Sequence, residues 1–353
     1  MIMVEKTMMP FNGRVNLCGR NENKYWDDFV ESCPSASFYL HSHWLKCLEK
    51  AFGFKSLRFK AVDEQGTIHG VFPLVEMRDI RGHKVLISLP FSNYAGTCCD
   101  DSIWNGCLFQ AAWNLAREQK LRFLEIRSLD VKIEEFPADV HSVNYFLELR
   151  EGESQVWKHL HPNKRNKIRK ALRYGLTNDR GRNYLDQFYW IFARNMRRLG
   201  TPPYPLKFFQ TILDEYEGES DIIVTKKGKA VISAMLLIFF RQSMAVPWAS
   251  SMREFWDHAP NELMYWEAIR LGTERKVEDF DLGRSPIGGG TSQFKIDLGA
   301  KAHPLFYHYI LRKGNKVPNI QDKYRRAVSI WKLVPFELTV LLGGRIIKHL
   351  PEL

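Results

Sequence analysis

The sequence predicts an α/β protein made of two similar units in tandem, each a sheet flanked by helices. Three observations carry this reading. The chain has 353 residues, 45% hydrophobic and 26% charged, which suits two cores of ordinary globular composition. Stretches of helical spacing alternate with apolar strands along its length. The order in which they alternate occurs twice.

In the first half, helical spacing at 24–32 and 43–52 is followed by strands at 57–62, 67–77 and 84–90. A helix over 103–119 sets Trp104, Leu108, Ala111 and Leu115 on one face, and strands at 121–127 and 143–149 close the unit. In the second half, helices are expected over 155–173, 184–199 and 206–216, and strands at 221–225, 230–240 and 244–249. A helix over 261–275 and strands at 279–282 and 305–312 complete it. The halves share local wording. Gly70-Val-Phe-Pro-Leu-Val and Lys229-Ala-Val-Ile-Ser-Ala-Met each open an apolar strand, and Leu89-Pro-Phe-Ser-Asn-Tyr-Ala-Gly and Val246-Pro-Trp-Ala-Ser-Ser each run from a strand into a polar, aromatic loop. The expected units are 1–151 and 152–316, with a helical tail at 317–353.

A net charge of +11 and a pI near 9.3 favour anionic partners: nucleotide, phospholipid, tRNA or sugar phosphate. Six cysteines, at 18, 33, 47, 98, 99 and 107, lack C-x-x-C spacing and argue against a disulfide framework or zinc site, so a reducing cytosol fits. No apolar leader and no 18-residue apolar run is present, which places the expectation in the cytoplasm. His41 with His43, and His159 with His161, lack the partners of a metal motif and read as surface residues. No metal is expected.

The chemistry concentrates between Phe280 and Lys301. Gly288, Gly289 and Gly290 let the backbone approach a ligand closely, and Arg284 and Lys295 flank them with positive charge. Arg284 and Ser285 are candidates for holding the anionic or carbonyl part of a substrate, although an internal salt bridge serves Arg284 equally well. Residues 154–178 hold seven lysines and arginines and no acid, with Arg165, Arg169 and Arg173 on one helical face opposite Trp157, Leu160, Ile168 and Leu172. That face is either solvated or a docking surface for a nucleotide-linked, lipid-linked or tRNA substrate. Asn93, Tyr94 and Trp248 in the two aromatic loops, and Tyr204 in a Pro-Pro-Tyr-Pro turn, either line a groove or sit at core edges. The tail carries a basic run at 323–326 and then an apolar stretch, which packs on the second unit or lies on an anionic membrane surface.

The duplicated order, with Arg165-Asn-Lys-Ile-Arg-Lys, Met196-Arg-Arg-Leu-Gly-Thr-Pro-Pro-Tyr and Phe280-Asp-Leu-Gly-Arg-Ser through Phe294-Lys295, resembles the FemAB-related proteins. These belong to the GNAT acyltransferase superfamily, include BioF2-like domains, and have a subgroup associated with PEP-CTERM, exosortase and exopolysaccharide genes. The resemblance implies tandem GNAT-like units in a Fem-type fold, with mixed, mostly antiparallel sheets flanked by helices. It implies N-acyl or aminoacyl transfer to an amine in envelope or exopolysaccharide biosynthesis, and Phe294 and Lys295 as catalytic residues. No cofactor is tightly bound on this reading; acyl-CoA and aminoacyl-tRNA are the candidate donor substrates, and tRNA a candidate partner. Two family features are absent from the sequence: a long helical-hairpin arm, and the Arg/Gln-x-x-Gly-x-Gly/Ala signature at the start of either central helix. The rival readings are a catalytically inactive Fem-like binder of anionic glycan or lipid-linked precursors, and a tRNA-dependent peptidoglycan aminoacyltransferase. A Phe294–Lys295 pair facing bulk solvent would favour the binder.

Overall fold

The computed structural model describes residues 13–312 and 327–351. Of these, 13–140, 304–312 and 348–351 form one compact unit, and 141–303 and 327–347 a second. The basic run at 323–326 lies outside the described residues.

The first sheet runs in the order β1 (Arg14–Leu17), β2 (Lys55–Val62), β3 (Ile68–Arg78), β4 (Lys84–Ile87), β6 (Phe123–Leu129) and β14 (Lys301–Leu311). Short strands β5 (Cys98–Cys99) and β7 (Ala138–Asp139) pair with β3 and β14. All neighbours are antiparallel except β4 and β6, which are parallel. Helices α1 (Asn23–Ser32), α2 (Ser42–Phe52) and α3 (Ile103–Glu118) belong to this unit. The core on one face gathers Trp104, Leu108 and Ala112 of α3 with Phe59, Phe72 and Leu124 of the strands. His41, read from sequence as a surface residue, is mostly buried: its ring accepts from the His43 amide at the start of α2, and burial pulls its pKa down to about 4.

At the other end of β3, His69 bridges Asp100 (2.7 Å) and Asp63 (3.2 Å) and stacks on Trp104. Partial burial disfavours the imidazolium, but the hydrogen bonds and charges of the two carboxylates outweigh it and raise the pKa. A raised folded-state pKa gives stability that is complete below the unfolded value near 6.5 and is lost as pH rises through the folded value. His69→Asn should therefore lower the unfolding midpoint at pH 5.5 and have progressively less effect above pH 6.5, which thermal melts at several pH values check.

The second sheet repeats the plan: β9 (Leu176–Arg180), β10 (Ser220–Lys227), β11 (Ala230–Phe240), β12 (Ser243–Ser251), β13 (Asp279–Pro286) and β8 (Ser142–Glu148). Again only one neighbouring pair, β12 and β13, is parallel. The helices are α4 (Glu153–His159), α5 (Pro162–Arg173), α6 (Leu185–Leu199), α7 (Leu206–Glu215), α8 (Pro260–Glu274), α9 (Gly290–Ile296) and α10 (Phe336–Ile347).

The units divide differently from the expected 1–151 and 152–316. The strand expected at 143–149 to close the first sheet forms over 142–148 and pairs with β13 in the second; the one expected at 305–312 to close the second forms over 301–311 and pairs with β6 in the first. Both are apolar alternating strands, and nothing in such a pattern names a partner. The single helix expected over 155–173 is two, because Pro162 has no amide hydrogen and can only begin a helix, as it does at the first position of α5. Leu172, expected in the core, is exposed; the buried stripe of α5 is Lys164, Ile168 and Ala171.

The tail is not a separate domain. Helix α10 packs in the second unit, burying Thr339, Gly343 and Ile347. Gly343 is there for space: a β-carbon would lie 2.6 Å from the Pro203 carbonyl oxygen. Helix propensity alone would make Gly343→Ala stabilising by about 1 kcal/mol. The clash with main chain should reverse the sign and cost about 1–3 kcal/mol, read as a lower midpoint in urea.

Candidate active site

The parallel pair of each unit fixes what can enter it. In the first unit β4 stays beside β6 only through Leu86 and Ile87, and the loop that follows remains on β6. The Ser88 amide donates to the Glu125 carbonyl, the Arg127 amide to Ser88 Oγ (2.7 Å), and the Ala95 amide to the Arg127 carbonyl. The Arg127 guanidinium, wholly buried, binds Glu125 (2.6 Å) and the Ser92 carbonyl (2.8 Å). Leu89 and Phe91 take positive φ, strain that this network holds in place. The gap beside β4 is thus closed by the chain itself. Asn93 and Tyr94 are part of that closure: the Asn93 carbonyl accepts from Tyr307 Oη (2.8 Å), and Tyr94 packs edge-on against Tyr39.

In the second unit the gap opens. β12 and β13 pair only at Ser243–Asp279, Met244–Phe280 and Ala245–Asp281. Beyond that point β12 continues along β11 to Ser251, and β13 continues along β8 to Pro286. Each strand follows its outer neighbour, so the two part and leave a wedge. A β-bulge at Val246 and Pro247 turns β12 where the parting begins; proline, lacking an amide hydrogen, fits a position with no partner strand on that side. Beyond Ala245 no strand among the described residues pairs with β12 on that side, an edge of the kind that takes an extended, amide-bearing ligand.

On the opposite wall β13 also bulges, between Asp281 and Arg284, with Gly283 at φ 77°. The bulge is held from below. Asp281 Oδ1 accepts from the Gly283 amide (2.8 Å) and from Asn144 Nδ2 (2.6 Å). From above, Lys295 Nζ donates to the Gly283 carbonyl (2.8 Å) and the Arg284 carbonyl (3.0 Å). Lys295 is only 7% exposed. Burial lowers its pKa to about 8, opposed by the Asp281 charge and assisted by that of Arg284. The ammonium also lies 5.6 Å from the centre of the Tyr145 ring on β8, so it is held over the bulge of β13. Ser285 Oγ and Asn144 Oδ1, both buried, have no hydrogen-bond partner among the described residues.

Gly288, Gly289 and Gly290, read from sequence as a ligand loop, form the turn into α9, a two-turn helix where a loop was expected. Ser292 Oγ ties that helix to the Pro286 carbonyl (2.6 Å). Lys295 and Phe294, neighbours on α9, point to different places. The Phe294 ring lies edge-on to Tyr265 (5.1 Å), with Lys164 Nζ 3.9 Å over its centroid. Lys164, almost wholly buried, bonds Glu262 (3.3 Å), which Lys167 also reaches (3.2 Å). Phe294 thus joins α9 to α5 and α8, while Lys295 joins it to the wedge.

Trp248 and Tyr204 meet at 5.9 Å, but in an aromatic cluster with Phe208 and Phe209. Arg165 donates to the Trp157, Lys158 and Leu160 carbonyls at the end of α4, and Arg169 lies over the Trp157 ring. Two of the three arginines on that face thus have partners inside the protein. Arg284 is exposed at the bulge. Sequence reading passed over Asn144, Lys164 and Glu262. The available signals were an asparagine inside an apolar strand and a lysine at the head of the stripe shared with Ile168.

Residues 161–295, from the start of α5 to Lys295, match the acetyltransferase (GNAT) domain model. No curated protein matches in sequence. Among solved structures, FemX is similar with a TM-score of 0.64 at 15% identity, over 89% of this chain and all of that one. L-PGS from Bacillus licheniformis gives 0.56 at 10% identity, over 94% and 97% of the two chains. A tandem GNAT protein from the clavulanic acid biosynthesis pathway gives 0.53 at 12%, over 86% and 100%. The matched segment contains both strands that frame the wedge, and the chain that carries this GNAT match has the fold of FemX and the tandem GNAT protein.

Proposed function

We propose that the protein is a cytoplasmic N-acyltransferase that moves an acyl or aminoacyl group onto an amine of an anionic precursor in cell-envelope or exopolysaccharide biosynthesis. The observation that carries this is Lys295, buried on the bulge where β12 and β13 part. Transfer to an amine needs the donor carbonyl held close and its developing oxyanion met by a positioned donor. Lys295 supplies the charge, with the Gly283 and Arg284 carbonyls fixing its direction. Arg284, exposed beside it, holds the anionic part of the acceptor. The wedge accepts the extended part of the donor. The inactive-binder reading is disfavoured, because Lys295 is desolvated rather than open to solvent.

The start of α8 separates the two donors. Its first helical residue is Pro260, which has no amide hydrogen, and its first turn holds the buried carboxylate of Glu262. A pyrophosphate anchored at a helix start needs free amides and no nearby anion. This favours aminoacyl-tRNA over acyl-CoA. The test is turnover by the purified protein with radiolabelled aminoacyl-tRNA or acetyl-CoA, against amine-bearing UDP-sugar and lipid-linked acceptors. Transfer from the charged tRNA alone is expected. Transfer from acetyl-CoA alone would reverse the donor assignment, and binding of acceptors without turnover of either donor would restore the binder.

A further inference from the structure

On α6 the residues Trp190, Arg194 and Arg198 stand at i, i+4 and i+8, all exposed, in a single stripe. Arg194 lies 4.5 Å over the Trp190 ring, and Arg198 and Arg253 lie 5.3 and 5.8 Å from the centre of Trp256. Beside the stripe runs the end of the chain. Arg197 Nε bonds the Val334 carbonyl (2.6 Å), Phe336 packs 6.4 Å from Trp190, and Val328 lies against Gly200. This segment turns its large apolar side chains outward. Leu333 is 82% exposed, Ile330 65% and Leu341 61%, and Leu338 is exposed as well.

Helix α10 is amphipathic in an unusual sense. Thr339, Gly343 and Ile347 face inward, while Leu338 and Leu341 share the outer face with Arg345. Exposed aliphatics beside tryptophans, ringed by cations, mark a surface completed by something else. The segments that form it carry six cations, Arg194, Arg197, Arg198, Arg253, Lys332 and Arg345, against four acids, Asp186, Glu254, Asp257 and Glu337. The excess charge calls for an anionic partner. RNA would use the tryptophans and arginines but offers nothing to four exposed aliphatic side chains. An anionic bilayer uses all three: acyl chains take the leucines, the headgroup boundary takes the tryptophans, and lipid phosphates take the guanidinium groups. None of the described helices is long and apolar enough to cross a membrane, so the contact is with one face.

We infer that this surface, formed by the outer face of α6, the turn at Leu333 and the outer face of α10, docks the protein on an anionic lipid bilayer. Docking needs no turnover, so it stands or falls separately from the acyltransferase reading. The experiment is co-sedimentation of the full chain with vesicles of 70% phosphatidylcholine and 30% phosphatidylglycerol, against phosphatidylcholine alone, with tryptophan emission recorded in parallel.

Binding to the anionic vesicles alone is expected, with a blue shift of the emission and weakening in high salt. Leu333→Glu with Leu341→Glu should lower the partition coefficient more than tenfold, and each of Arg194→Gln and Arg198→Gln by about fivefold. Ile80→Glu, an exposed apolar site of the first unit, should leave it unchanged. All these positions are exposed, and circular dichroism of each variant checks that it folds. Failure to bind the anionic vesicles overturns the inference, as does undiminished binding by the double leucine variant or an equal loss with Ile80→Glu. If the leucine pair instead abolishes tRNA binding in a gel shift, or self-association in size-exclusion chromatography, and leaves vesicle binding intact, the surface belongs to that partner.

Discussion

Lys295→Met is expected to lower kcat by about 10² to 10³, the usual cost of removing one oxyanion donor, and to leave the protein folded. Two stability effects of the substitution oppose each other. Removing a buried ammonium relieves its desolvation, while the Gly283 and Arg284 carbonyls lose their partner at about 1–3 kcal/mol each. The melting midpoint at pH 7 should therefore move little while activity collapses, a combination that a packing residue would not give.

The pH profile tests the role. With a pKa near 8 the lysine loses its charge above that value, so kcat should fall on the alkaline side of about pH 8 if it acts as a cation. A rate that climbs through pH 8 to a plateau would make it a base instead. Stability moves the other way. Between the folded value near 8 and the unfolded value near 10.4, the unfolded chain holds a proton that the folded chain has released. Stability contributed at this site should accordingly rise with pH across that window, by about 3 kcal/mol in all, and Lys295→Met should flatten the rise.

Glu262→Ala should destabilise the second unit by about 3–5 kcal/mol. It leaves Lys164 buried and without its nearest anion. Burial already lowers the pKa of Lys164 despite the attraction of Glu262, so its charge is held at a cost even with the pair intact. For a unit of this size the midpoint should drop by roughly 10 °C. Glu262→Leu with Lys164→Met should recover most of the loss, because no buried charge is then stranded. If the double variant is as unstable as Glu262→Ala, the pair does not couple as its 3.3 Å separation implies. A partial loss of activity should accompany the single change, because Lys164 also rests on Phe294 and so steadies the helix that aims Lys295.

How far the sequence could be read depended on the range of the interactions involved. Strands and helices with a clear period of 2 or 3.6 were legible, as at 230–240 and 185–199, since each such pattern is local. Helix α9 was not. Gly290, Thr291 and Ser292 are poor helix formers, and the two turns are held by Ser292 on the Pro286 carbonyl and by Lys295 on the bulge. Lys164 was passed over because a lysine in an apolar stripe ordinarily marks the surface, and its partner Glu262 lies about a hundred residues away.

By itself the sequence determined the duplicated α/β unit and the ordering of its elements, and it singled out the stretch from Phe280 to Lys301 as the candidate place for chemistry. Those follow from side-chain periodicity and backbone permissiveness, properties of a few adjacent residues. Tertiary structure alone decided that 142–148 completes the second sheet and 301–311 the first, that β12 and β13 part while the corresponding gap of the first unit is closed, and that Phe294 and Lys295 serve different ends. Strand pairing and desolvation depend on which distant segments meet, and the same alternating strand or the same lysine is compatible with either outcome until they do.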